Sequence, residues 1–447
     1  MADDTVKTTP VTTENGKKFL WSFQPKSGKD AGESIVRNFL LHWFPAKVAE
    51  RSLSWSYSFY LGTITFALFL ILVITGIVLM FLYVPSVERA YQSVKDIENV
   101  VSFGWFIRAM HRNATHLMVI FIFLHMVRVF LTAGYKNGLG SGQLRPVNWI
   151  IGVVLLLVTL FLAFTGYLLP WDQLAFWAVT VGTDIARTIP LIGDEVRYIL
   201  IGGHEIDQNT LIRFYVLHCF FLPLLTVILI VYHFWRIRKD GGLASYDTVV
   251  NAQDKIREKN GGGKKTYSLL GITKGRTVEV ETTTRNEESI TVNSVPNLIR
   301  RVGLVMLATF VFVAVLSLFL HAPLEEPANP DITPNPAKAP WYFLWLQELV
   351  TITTFNLFGI TFDGGFIGGV LIPGVLLVFL CVWPFMDKSS KETTGVWFTK
   401  DRWRQNLVFI LICFAIILLT IIGTYMRGPF WEFYLPWESW PDLPGIL

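Results

Sequence analysis

Residues 107–131, IRAMHRNATHLMVIFIFLHMVRVFL, and residues 211–236, LIRFYVLHCFFLPLLTVILIVYHFWR, decide the fold. Each is long and apolar enough to cross a bilayer. The first carries His111 and His125, the second His218 and His233. An α-helix advances about 100° and 1.5 Å per residue, so a separation of fourteen is four turns less roughly 40°, and fifteen is four turns plus roughly 60°. Both spacings keep the two imidazoles on one side of their helix, about 21 Å apart along the axis. Two such helices side by side make two facing pairs, one near each membrane surface. A pair of axial imidazoles with no open coordination position is how a protein holds a haem iron for electron transfer. A lone histidine in an apolar helix is more often a hydrogen-bonded interior residue. Ionisable groups in membrane segments are costly and mark function, however, and four of the chain's 8 histidines fall into this pattern. His116 lies five residues from His111, about 140° round the helix. It is expected to face elsewhere and to be structural.

Of 447 residues, 52% are hydrophobic and only 16% are charged, against about 25% charged in soluble domains. With uninterrupted apolar runs of membrane length, this composition predicts an all-α integral membrane protein, and no nucleic-acid partner is expected. The first fifty residues are polar and carry no signal-peptide pattern. Cys219, Cys381 and Cys413 all lie in apolar segments, and no CxxCH occurs. Neither a c-type haem attachment nor a zinc or disulfide framework is suggested.

Seven spans are expected, over 57–83, 107–131, 147–169, 211–236, 301–321, 367–386 and 405–425. They form a four-helix di-haem bundle within residues 51–239 and a three-helix C-terminal half within 301–447. Residues 240–300 form a polar linker with a flexible GGGKK at 261–265 and an alternating, hairpin-like 277–295. Within residues 1–50, the first thirty are polar, and 31–50 is read as an amphipathic surface helix with Ile35, Phe39, Leu40 and Trp43 on one stripe. The stretch 341–360 is apolar but contains Glu348 between Pro-rich and Gly-rich flanks, so a re-entrant or interfacial segment is expected rather than an eighth span. Lys and Arg concentrate in the N-terminal region, in the loop holding Lys136 and Arg145, and in 236–301 and 388–404. That places the N-terminus on the cytoplasmic or equivalent side. His111 and His218 then lie near the outer surface, and His125 and His233 near the inner one. The Trp- and Pro-rich tail belongs on the outer surface, beside a partner.

Gly62 and Gly76 in the first span, and Gly152 and Gly166 in the third, are each fourteen apart. A flat macrocycle lies between packed helices only where side chains are missing, and glycine provides that close approach. Arg108, Arg112, Arg128 and Arg213 lie in or at the ends of the two histidine helices. Arg pairs well with carboxylates such as haem propionates, and Arg128 is the best placed.

GWFIRAMHRNATHLMV (104–119), GYLLPWDQLAFWAVTVGT (166–183) and LIRFYVLHCFFLPLL (211–225) closely resemble the cytochrome b6 form of the cytochrome b family. The fifteen-residue histidine spacing is b6-like too. The three-span half resembles subunit IV of the same Rieske/cytochrome b complexes, here in one chain. The resemblance implies two non-covalent haems b, held outer by His111 and His218, inner by His125 and His233. It also implies bifurcated quinol oxidation on the outer side, quinone reduction on the inner side, and proton translocation. Partners implied are a Rieske iron–sulfur protein, a c-type cytochrome or plastocyanin-type acceptor, quinone, lipid and a second copy in a homodimeric complex, in a bacterial inner or equivalent energy-transducing membrane.

Two departures stand out. Where the family has Pro-Glu-Trp-Tyr, this chain has Ala339, Pro340, Trp341 and Tyr342, so the proton-accepting Glu is replaced by Pro340. Glu348 is the candidate to stand in for it, and Glu325 and Glu326 lie in the same loop. Tyr60 stands where the b6 form has the Cys for an extra covalent haem, so no such haem is expected. The competing readings are a di-haem membrane anchor of another quinone-linked oxidoreductase, and a transporter with structural histidines. The PWDQ and PWYF segments argue against the first, and a redox spectrum would exclude the second.

Overall fold

The computed structural model describes residues 44–45, 47–138, 142–244 and 291–441. Among them, seven helices are long and apolar enough to cross a membrane, each within a few residues of the expected span. In chain order the elements are β1 (Lys47–Ala49), α1 (Leu61–Leu82), α2 (Ala90–Asn99), α3 (Gly104–Leu131), α4 (Arg145–Tyr167), α5 (Gln173–Arg187), α6 (Gly193–Ile201) and α7 (Gln208–Lys239). The C-terminal half follows with β2 (Thr291–Asn293), α8 (Ser294–Phe319), α9 (Trp341–Thr353), β3 (Phe355–Leu357), β4 (Ile360–Phe362), α10 (Gly364–Met386) and α11 (Lys400–Met426). The spanning helices are α1, α3, α4, α7, α8, α10 and α11.

Two expectations change. Most of 31–50 and of 277–295 lies outside the described residues. Of the described parts, 47–49 and 291–293 form strands, with β1 pairing β2 antiparallel, Val48 opposite Val292. The backbone groups of both segments thus satisfy each other across the chain, and 291–293 is not half of a local hairpin. The stretch 341–360 is the 13-residue helix α9 followed by the β3–β4 hairpin. At about 1.5 Å per residue α9 reaches roughly 20 Å, short of the bilayer's ~30 Å core.

Start signals are local. Pro146 occupies the first turn of α4, where its missing N–H costs nothing. The Asp172 carboxylate accepts the Ala175 N–H at 2.9 Å to cap α5. Asp207 and Thr210 form a capping box at the start of α7. The α7 helix carries a π turn over Leu217–Phe221. Pro223, in the turn that follows, has no N–H to give the carbonyl four residues before it. A π turn takes up one extra residue, so the fifteen residues from His218 to His233 advance the helix much as fourteen do from His111 to His125.

The α1, α3, α4 and α7 helices make the first bundle, with α1 against α3 and α4 against α7 its broadest contacts. The second half attaches through α8, packed on α1 and α3, and through α10, packed on α4. A buried polar knot locks this attachment at the end of the bundle near His125. Asp387 accepts from the Tyr135 hydroxyl at 2.6 Å, Arg402 Nε at 3.2 Å and Lys136 Nζ at 3.3 Å. Burial alone would raise the Asp387 carboxyl, but the bonds from Ser389 and Tyr135 and the Lys136 charge hold it well below the ordinary range. Phe130 stacks on Phe409 at 3.8 Å beside it.

Candidate functional site

The four histidines meet in two pairs. His111 of α3 faces His218 of α7 with ring centroids 6.1 Å apart, and His125 faces His233 at 6.5 Å. Two metal–imidazole bonds of about 2.0–2.1 Å plus two ring radii of about 1.1 Å sum to roughly 6.3 Å. Each gap is therefore the size that would admit one iron between its two imidazoles. The ring planes cross at 73° and 82°.

The glycines sort by level. A Cβ on Gly76 would stand 3.2 Å from His111 Cε1, and one on Gly166 would overlap the His218 ring. A Cβ on Gly62 would stand 3.2 Å from His125 Cε1, and one on Gly152 would stand 3.8 Å from His233 Cε1. Each ring thus lies where a side chain is missing on α1 or α4, the space a flat macrocycle needs at its edge.

Hydrogen bonds fix the His111–His218 pair, the outer level in the orientation expected from the loop charges. Thr75 Oγ1 donates to the Ile71 carbonyl at 2.7 Å, so at 2.9 Å from His111 it is the acceptor and Nδ1 the donor. His218 Nδ1 donates to the Leu162 carbonyl at 3.0 Å. Both rings keep the proton on Nδ1 and a free lone pair on Nε2, the arrangement a metal ligand needs. At the inner level His233 Nδ1 lies beside the Asn148 carbonyl without meeting hydrogen-bond geometry.

The inner level has charge instead. Arg128 is 4% exposed, and its Nε and Nη2 have no partner. Arg145 Nε and Asn148 Oδ1 are also buried and unpaired. All three line a cavity with His125, His233 and Gly152, about 760 Å³ counted to its open mouth. A buried guanidinium with unpaired nitrogens is costly; Asp240 also lines the cavity but is paired with Arg236, so Arg128 and Arg145 suit an anionic group such as a propionate. Arg128 faces the Tyr57 ring at 4.9 Å. The residues present thus fit haem at both levels.

The other arginines differ. Arg108 Nη1 binds Glu98 at 2.8 Å and the Ala322 carbonyl at 2.7 Å, and Arg213 Nη1 binds the Ile199 carbonyl at 2.7 Å. Both tie segments at the His111 end of the bundle rather than facing a histidine pair, because a carbonyl of the loop after α8 or of α6 lies within their reach. Arg112 sits among Tyr167, Tyr342 and Asp172. Arg145, counted in the sequence only as a topological charge, is the cation the sequence reading missed.

Around Pro340 a second site converges. Tyr342 of α9 packs with Val119 of α3 and Ala163 of α4, and Phe343 meets Phe164 edge-on at 6.0 Å. Gly182 of α5 lies against Phe164 so closely that a Cβ would stand 2.7 Å from its ring. The loop before α9 is pinned to the PWDQ segment, with Gln173 N donating to the Glu326 carbonyl at 2.8 Å and Ala328 N to the Trp171 carbonyl at 3.1 Å. Burial raises Asp172, the bonds from Ala175 and Glu325 opposing it. Burial, then Tyr167, raises Tyr342, so its phenol stays protonated at physiological pH and acts as a donor. Glu348 does not face this pocket as a free base: Arg427 holds its Oε1 at 2.6 Å and its Oε2 at 2.9 Å. Such a fork takes up both oxygens and fixes the carboxylate. Glu325 and Glu326 are exposed. His116 turns away from the histidine pairs, as expected, and lies on Trp341 and Tyr342. Tyr60 donates its hydroxyl to the Leu53 carbonyl at 2.9 Å.

Comparison with known proteins agrees with this geometry. The family "Cytochrome b/b6/petB" matches residues 47–241, and "Cytochrome b(C-terminal)/b6/petD" matches 327–435. Cytochrome b6 of Euglena gracilis is 46% identical over 181 residues, 40% of this chain and 81% of that protein. Cytochrome b6 of Gracilaria tenuistipitata var. liui is 44% identical over the same length and shares. A chain of the solved structure "Hyperthermophilic respiratory Complex III" superposes with a TM-score of 0.63 at 24% identity, over 85% of this chain and 86% of that one; it shares the fold. With both family regions present in order and the histidine pairs formed between α3 and α7, the chain belongs to the cytochrome b/b6 family.

Proposed function

We propose that this chain is the cytochrome b subunit of a quinol:cytochrome c or plastocyanin-type oxidoreductase, carrying electrons between two haem levels across a membrane. The observation that carries the reading is the two facing histidine pairs, 6.1 and 6.5 Å between rings. When bound, a haem at each level supplies one-electron transfer with no open coordination position.

The chain's own residues do the rest. Thr75 and Leu162 hold the Nδ1 protons of His111 and His218, which aims both Nε2 lone pairs into the outer gap. Arg128 and Arg145 would pair with propionates at the inner level. Trp341, Tyr342, Phe343 and Phe164 form an aromatic cluster against which a quinol ring would lie, and Tyr342 would offer a hydroxyl donor to its oxygen. Glu348, fixed by Arg427, positions α9 against the last span. Oxidation at this outer slot would send one electron to a Rieske iron–sulfur partner and one inward along the bundle, with quinone taken up at the inner level. A c-type cytochrome subunit, lipid and a second copy complete the proposed complex, with the N-terminus inside a bacterial inner or equivalent membrane.

The test is anaerobic reduction of the purified complex by a quinol. Both b bands should be reduced, and a reduced-minus-oxidised spectrum with no b band, or one that quinol leaves oxidised, refutes the reading.

A further inference from the structure

A quinol gives up protons as it gives up electrons, and the acceptor must stand about 2.6–3.2 Å from the hydroxyl, directly or through one water. Pro340 has no ionisable group. Glu348 has both oxygens held by Arg427, Asp172 is engaged by the N–H groups of Ala175 and Glu325, and Tyr342 is held protonated by burial. The titratable ring that remains at this wall is His116.

His116 lies about 7.5 Å along α3 from His111 and about 140° round it. Its ring rests on Trp341 at 6.5 Å and on Tyr342 at 6.2 Å between centroids. Trp341 Nε1 donates to His116 Nδ1 at 3.0 Å. An indole N–H can only donate, so Nδ1 carries the lone pair and the ring's proton sits on Nε2. This is the opposite tautomer to His111 and His218, whose Nδ1 atoms donate. The ligand histidines keep Nε2 for iron, whereas His116 keeps a basic nitrogen at the quinol wall. Arg112, one turn earlier on α3, is the charged group beside the ring, and Tyr342 is the titratable group facing it from α9. Arg112 in turn faces Tyr167 and Asp172.

We propose that His116 is the proton acceptor of the outer quinol slot, with Trp341 holding its Nδ1 lone pair until the substrate hydroxyl takes the indole's place. The quinol O–H bond breaks, its electron pair stays on the oxygen, and an N–H bond forms at Nδ1. The imidazolium then returns one proton to water and the neutral ring re-forms. The electrons leave by the redox partners named above, so the proposal rests on that functional reading.

The test uses the purified haem-loaded complex with decylubiquinol and menadiol as donors. His116→Gln keeps a polar side chain but cannot accept a proton. Its kcat should fall about 100-fold, within the usual range for one acid–base group, with KM changed less than about threefold. The acid limb of the pH profile should disappear while both b bands remain. His116→Glu should restore part of the rate with the limb moved to another pH, and Trp341→Phe, which removes the indole donor and leaves a ring, should also move it. If His116→Gln loses haem, the limbs of His116→Glu and Trp341→Phe decide. An unmoved acid limb in these variants overturns the proposal, as does an equal loss in Gln and Glu with no displaced limb. Failure of the wild-type complex to reduce its b bands with either quinol overturns the functional reading instead.

Discussion

The two histidine levels are built differently. At the outer one, His111 and His218 each donate Nδ1–H to a neighbouring helix, at 2.9 Å to Thr75 and at 3.0 Å to Leu162. At the inner one, His233 Nδ1 is buried and unpaired, and so are guanidinium nitrogens of Arg128 and Arg145. Hydrogen bonds orient the rings at one level, and buried unpaired arginine nitrogens mark the other. Partners of this first kind change metal affinity about 10–100-fold. Buried guanidinium nitrogens left unpaired are costly until an anion arrives. The inner level is therefore expected to depend on its haem for stability more than the outer level does.

The largest effect that could break this comparison is loss of a whole cofactor. His125→Ala or His233→Ala should take the haem content from two to one per chain, with quinol still reducing the remaining band. If His125→Ala and His111→Ala remove the same band, the pairing by level is wrong. A smaller effect separates the glycines. Gly166→Ala puts a methyl into the His218 ring, whereas Gly152→Ala leaves 3.8 Å to His233. Outer haem should drop by more than about half in the first, from a steric cost of about 1–3 kcal/mol, and inner haem should persist in the second. Equal retention, read from the two b bands, would mean the helices shift freely. The smallest effect concerns charge. Arg128→Gln should lower the inner midpoint potential by about 50–100 mV, the equivalent of roughly ten- to fiftyfold at 59 mV per decade, because a cation favours the reduced iron. The outer potential should hold. A potentiometric titration in which both move alike would remove the distinction.

Much of this was legible in the sequence because it is periodic. The seven spans come from apolar length, and the histidine and glycine pairs come from a helix that repeats every 3.6 residues. The residual 60° in α7 was not legible as resolved, because the π turn before Pro223 is a departure from that period. Partnering was not legible either. Glu348 meets Arg427 from 79 residues away, so a carboxylate free in the sequence is taken in the fold. Arg108 and Arg213 found carbonyls of the loop after α8 and of α6, while Arg145 kept one buried nitrogen unpaired; one helix's sequence cannot say which neighbour's carbonyl lies near. His116 could be placed off the haem face by counting residues, but not onto Trp341, because α9 arrives from another part of the chain.

The central claim is that each histidine pair holds one haem b. It is tested most directly by a pyridine haemochrome assay on the purified chain, set against protein concentration and repeated after acid–acetone extraction. Two b-type haems per chain are expected, both extracted. One haem or none would contradict it, and a haem left on the protein would contradict the assignment of both as non-covalent.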